Sequence, residues 1–163
     1  MRISNRESFC VSLVQKMHPS LKKYRDEFIR VFGRSPMEAS QIDKIGQEIF
    51  GINWGGVYPQ DAVPKLKAGH FYVVNTGFAK GKGSNWTAIA VSTKGIPHLW
   101  DSFSRNMHSL LWKEEQKIRS SGIKPVETHH KPDQRGHSAI CGQLSLAWLC
   151  VVKNDGFRIA DRV

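Results

Sequence analysis

QRGHSAICGQLSLAWLCVV, residues 134–152, passes from a polar loop into Ile140–Val152, a run that is nearly all apolar. A surface helix carries one apolar stripe, whereas a run that is apolar all round must be covered on every side. The run is therefore expected as a central helix. The rest of the chain has to supply its cover.

Upstream, residues 5–33 place Phe9, Leu13, Phe28, Val31 and Phe32 at broadly helical spacing, and Pro19 splits that span into two helical pieces. Ser35, Pro36 and Glu38 have the layout of a capping box with proline at the first helical position, and Gly51 is placed to end the helix. The spacing predicts a helix over 36–50. The next stretch, GINWGGVYPQDAVPKL at 51–66, holds three glycines and two prolines and is expected to be irregular.

Three segments rich in β-branched and aromatic residues follow, HFYVVN at 70–75, NWTAIAVS at 85–92 and HLWDSF at 98–103, separated by GFAKGKGS and TKG. Residues 107–122 set Leu110, Leu111, Glu114 and Ile118 along one amphipathic helix with Gly122 as its stop, and a short strand is expected over 125–129. The fold class that results is α+β: a small mixed, mostly antiparallel sheet packed on the central helix, with an N-terminal helical segment alongside. One domain accounts for residues 1–163, with 1–51 its helical part and 52–152 its core.

Composition bounds the function. The chain has 163 residues, 40% of them hydrophobic, and no run near the roughly 18 apolar residues that a membrane span needs. A soluble, unprocessed protein without a membrane partner is expected. Three cysteines, an odd number without a signal peptide, favour single thiols in a reducing compartment over a disulfide framework. The 24 Lys and Arg against 14 Asp and Glu leave a net charge of +10, spread along the chain, which favours a polyanion such as nucleic acid.

Cys141 stands where the polar loop meets the apolar helix, so helix-start amides and the positive end of the helix dipole face its sulfur. Thiolate is expected over thiol. Small neighbours Ser138, Ala139 and Gly142 suit the close approach of a substrate backbone. Cys10 and Cys150, inside apolar runs, read as core residues. His129, His130, His137 and Cys141 are all zinc-compatible residues, but their spacing matches no standard zinc motif. A cysteine nucleophile also needs a base, a group to orient it and oxyanion donors. Asp101, at the polar end of a strand, suits the orienter. Gln134 and the Cys141 amide suit the oxyanion.

The order GVYPQDAVP, FYVVNTG, GSNWTAIAVS, LWDSF and QRGHSAICGQLSLAWL resembles the adenovirus-type cysteine endopeptidases of adenoviruses, Polinton elements and virophages, and more distantly the SUMO-specific proteases. The resemblance covers roughly 52–152 and implies an endopeptidase that matures virion and capsid precursors through a thioester. It implies Cys141 as nucleophile, Asp101 as orienter and Gln134 as oxyanion side chain, with Trp86 and Gly142 bordering a narrow cleft for small residues such as glycine. It implies no required metal, leaves room for DNA or a peptide activator, and points to a monomer in the virion and in the nucleus or cytoplasm of an infected cell.

The family's base is a histidine directly before this tryptophan, and here Trp86 follows Asn85. An amide has no proton affinity near neutral pH and cannot act as base or acid. Three readings stay open: the histidine has been substituted in this chain, catalysis was lost and binding kept, or His137 or His98 serves instead. A protease-like binding module for peptide or nucleic acid is the alternative to an enzyme.

Overall fold

The computed structural model describes residues 21–80, 85–128 and 139–163. The fold is α+β. Its elements in chain order are α1 (Leu21–Phe32), α2 (Ala39–Phe50), a short 3-10 turn (Gly51–Asn53), β1 (Trp54–Pro59), β2 (Phe71–Asn75), β3 (Trp86–Val91) and β4 (Pro97–Trp100), then α3 (Met107–Leu110), α4 (Trp112–Ser120), β5 (Val126–Glu127), α5 (Cys141–Asp155) and α6 (Phe157–Ala160).

The sheet has the order β1-β2-β3-β4-β5. Its three middle strands form an antiparallel meander, and each edge strand joins in parallel, β1 on β2 and β5 on β4. Side chains alternate across the pleat. Val73, Ala88, Ala90 and Trp100 enter the core built around α5, while Tyr72, Val74, Ile89, Val91 and Leu99 enter a second core with Met107, Leu111 and Ile118. Covered on both faces, the middle strands read as continuous apolar runs.

Helix α5 is the centre that its sequence predicts: every residue from Cys141 to Val152 is buried. Helix α1 lies against it through Leu21, Tyr24 and Phe28, the i, i+3, i+7 stripe of one helical face. Trp148 stacks on Trp100 of β4 with ring centroids 5.9 Å apart and donates its indole N–H to the Ala160 carbonyl at 3.0 Å. The last turn of the chain is thereby tied over α5. The first of the two helical pieces expected over 5–33 lies outside the described residues.

Three local expectations are corrected. The capping box at Ser35 does not form: α2 begins after an extended Glu38 whose side chain makes no cap bond, three residues later than the motif suggests. The glycine-rich stretch at 51–66 is not all irregular, because β1 lies within it. Its glycines make room rather than break structure. A Cβ on Gly55 would lie 2.2 Å from the Tyr72 ring, Gly56 takes φ +111 at a bulge in the register, and Trp54 lies flat against Gly46 of α2 while bonding Asp43 Oδ1 at 2.8 Å. The helix expected over 107–122 breaks at Leu111, whose φ of −119 and ψ of 41 leave the helical region and divide α3 from α4.

Candidate active site

The site assembles where α5 begins beside the first residue of β3. Trp86 anchors the junction. Its indole N–H donates to the Met37 carbonyl at 2.9 Å, and its ring edge would sit 3.3 Å from a Cβ at position 142. That same Cβ would lie 3.1 Å from Met37 Cβ and 3.3 Å from Ile42 Cδ1, so Gly142 is what lets α5 close onto β3 and the 37–42 segment. The expectation that Gly142 opens space for a substrate is answered on its buried side: the missing side chain is taken up by packing.

The Trp86 backbone N–H points at Cys141 and donates to its Sγ at 3.3 Å. Residue 85 is thus one peptide unit from the thiol. Asn85 is half-buried, and its carbonyl accepts from Thr76 N–H at 2.9 Å, which fixes the entry to β3.

Cys141 is a free, buried cysteine, 7% exposed. Burial pushes its thiol above the ordinary value. The amides of Trp86, Gly142 and Cys141 itself, and then the Arg105 charge, pull the other way without cancelling the shift. The expected thiolate is therefore corrected to a thiol in the resting protein: desolvation outweighs the helix start. Cys150 is 1% exposed inside α5, the core residue that its sequence context suggests, and Cys10 lies outside the described residues.

Asp101 follows β4 and is 2% exposed. The β3–β4 register pairs Ala88 with Trp100, and one further step brings Asp101 level with Thr87, two residues from Asn85. Its carboxylate receives a two-pronged bond from Arg105, Nε to Oδ2 at 2.9 Å and Nη2 to Oδ1 at 2.8 Å, and the Arg105 backbone N–H adds a third at 3.0 Å. The turn that makes this fit passes through Ser104 at φ +52. Such a fork holds both charges in one geometry. Arg105 is the functional-site residue that sequence reasoning missed, and its only signal was a basic residue four positions after an acid.

His98 is engaged elsewhere. Its ring stacks on Phe157 at 3.9 Å between centroids, and Nδ1 lies 3.2 Å from Asp161 Oδ1. This corrects His98 as a stand-in base, since on β4 it pairs with Ala90, far along the strand from Asn85. Gln134, His137, His129 and His130 lie outside the described residues. Among the described residues no cluster of three His, Cys, Asp or Glu could hold a metal, and no helix is long and apolar enough to cross a membrane.

A second residue that escaped the sequence reading lies in α5. Gln143 is fully buried and its amide N–H groups donate to the carbonyls of Gly33 and Ser35 at 3.0 and 2.9 Å, pinning the α1–α2 connection to the start of α5. No protein-family profile matches the chain, and no curated protein is significantly similar to it in sequence.

Proposed function

We propose that this domain is a cysteine endopeptidase of the adenovirus type, with Cys141 as nucleophile, whose base position is filled by Asn85. The observation that carries the reading is the Trp86 N–H···Sγ contact at 3.3 Å, which sets residue 85 directly beside the thiol. In the reaction the sulfur adds to a peptide carbonyl, the thiol proton passes to a base, and collapse to the thioester expels the amine, which takes that proton. Water then hydrolyses the thioester. Gln134 and the Cys141 amide stabilise the oxyanion, and Trp86 borders the cleft that admits small residues such as glycine. Asp101 orients the base, and the Arg105 fork holds that carboxylate in place.

Asn85 can hold a hydrogen bond but cannot accept the thiol proton, and the buried thiol does not ionise on its own near neutral pH. The chain as written is accordingly inactive or nearly so. Its natural substrates are virion and capsid precursor proteins, its setting is the virion and infected cell, and its basic surface takes nucleic acid as partner. The thiol's raised pKa and Asn85 together favour a second reading, a protease-like module that binds peptide or nucleic acid without cutting.

Cleavage of a Gly-Gly peptide separates the two, measured with and without DNA for the chain itself, for Asn85→His and for Asn85→His with Cys141→Ala. General base assistance is worth on the order of a hundred- to ten-thousandfold, so Asn85→His should gain activity by that margin and lose it again with Cys141→Ala. Folded Asn85→His without gain would favour the binding module. Robust cleavage by the unaltered chain would move the base to His137.

A further inference from the structure

Six large hydrophobic side chains among the described residues are well exposed, and two of them, Phe78 at 39% and Trp112 at 43%, meet. Their rings stand edge to face at 88° with centroids 6.0 Å apart. The Lys113 ammonium lies 4.6 Å from the Trp112 ring centroid. The pair joins elements remote in sequence: the loop after β2 and the first turn of α4.

The junction is built. Gln60, only 4% exposed, donates through its side-chain amide to the Thr76 carbonyl and, at 3.0 Å, to the Leu110 carbonyl. Its backbone N–H donates to the Gly77 carbonyl at 3.1 Å, and its Oε1 faces the Lys113 amide at 3.5 Å. Asn75 Oδ1 accepts from Gly77 N–H at 2.7 Å, and Asp61 Oδ1 accepts from Ala79 N–H at 2.8 Å. Both sides of Phe78 are thus fixed, and a buried glutamine ties its loop to the turn that carries Trp112.

The exposed charges beside the rings include cations, while Glu114 and Glu115, next to Trp112 in sequence, are buried at 2% exposed. Lys113 sits on the indole, and the exposed Lys80 follows Phe78 by two residues. Asp61, in the β1–β2 connection, is engaged with the Ala79 backbone amide. Exposed, pre-positioned aromatic rings interleaved with lysines are what a single-stranded nucleic acid needs, because every base offers a flat face to stack and every linkage a phosphate. In a duplex the bases are already stacked and those rings gain nothing.

We infer that Phe78 and Trp112 form a base-stacking platform for single-stranded nucleic acid, with Lys113 and Lys80 on the phosphates. The inference rests on the reading that nucleic acid is a partner and adds where and in which form it binds. It is independent of Cys141.

The test is titration of a labelled short oligothymidylate and of a duplex at matched ionic strength, on the whole chain and on Trp112→Ala, Phe78→Ala, Trp112→Phe and Lys113→Gln. Both rings are exposed, and thermal unfolding checks that each variant is folded. The single strand should bind tighter than the duplex. Loss of a stacking ring should weaken it roughly five- to a hundredfold, with the salt dependence unchanged, while Trp112→Phe keeps most of the affinity. Lys113→Gln should lower the slope of log affinity against log salt by about 0.7, because one phosphate fewer is neutralised. Unchanged affinity of Trp112→Ala for the single strand, with salt-sensitive binding intact, overturns the platform alone. Absence of any nucleic-acid binding at low salt overturns the platform and the partner reading together. Binding of a proline-rich peptide that Trp112→Ala abolishes, with none of the oligonucleotide, assigns the surface to a protein and overturns the inference.

Discussion

At the scale of single residues, the site turns on a contest between burial and local dipoles at one sulfur. Position and neighbours point to Cys141, because a cysteine at the start of an apolar helix is visible in the order of residues. Its protonation state is not, because desolvation depends on the tertiary burial of the start of α5, where the Trp86 backbone of β3 meets the sulfur. The same holds for Arg105, whose fork on Asp101 exists only once the turn through Ser104 is formed. These features predict a pH profile for alkylation. Iodoacetamide should label Cys141 and spare Cys150, with a rate still climbing above the ordinary thiol range of about 8.5. Arg105→Gln removes a positive charge that favours the thiolate, so its profile should lie further to alkaline pH. Mass mapping of the adduct across a pH series reads both. Preferential labelling of Cys150, or a profile that moves to acid in Arg105→Gln, would contradict this account.

At the scale of elements, α1 is legible by its one buried stripe, and the middle strands and α5 by continuous apolar runs that are covered on all sides. Periodicity failed at β1, where pairing depends on Tyr72 filling the space above Gly55 and on Trp54 lying against Gly46, contacts between segments that no local pattern carries. Helix α4 shows the converse. Its sequence spacing puts Glu114 on the stripe with Leu110, Leu111 and Ile118, and the structure buries that carboxyl, 2% exposed, with Oε1 lacking a hydrogen bond among the described residues. Burial pushes it up to about 7 from 4.5, and the nearby Lys117 charge opposes this only in part. Tyr72 also faces it and is itself raised by burial. A carboxyl whose folded pKa lies above its unfolded value gives stability that is fully present below 4.5 and lost as pH rises through about 7. The loss is on the order of 3 kcal/mol. Urea unfolding across that window should show the native chain weakening with pH while Glu114→Gln stays nearly flat there. A native chain that gains stability over the same window would refute the assignment to Glu114.

At the scale of the whole molecule, the sheet and α1 pack around α5 and bury Cys141 to Val152, so the proposed chemistry at the sulfur and the proposed polyanion contacts fall on different parts of the chain. The sulfur sits at the first residue of α5, whereas the lysines and arginines of the described residues lie on α1, α2, α4, α5, α6 and the connections, with none on a strand. The excess of ten positive charges is distributed, with pairs such as Lys22 and Lys23 on α1 and Lys117 and Arg119 on α4. A distributed cationic surface reads phosphates rather than base edges, so affinity for unrelated duplexes should be alike and governed by counterion release. A protein that makes six to ten phosphate contacts loses roughly a thousand- to hundred-thousandfold in affinity between about 50 and 200 mM salt, and this chain should fall steeply over that range, if less than the upper figure. Because Arg105, the cation that acts on the thiol, is already paired with Asp101, Cys141→Ala should bind with the same affinity and the same salt slope. Anisotropy titrations of two unrelated duplexes at several salt concentrations provide the measurement. Binding that ignores salt, or that differs strongly between the duplexes, would mean that a specific groove rather than the overall charge selects the partner.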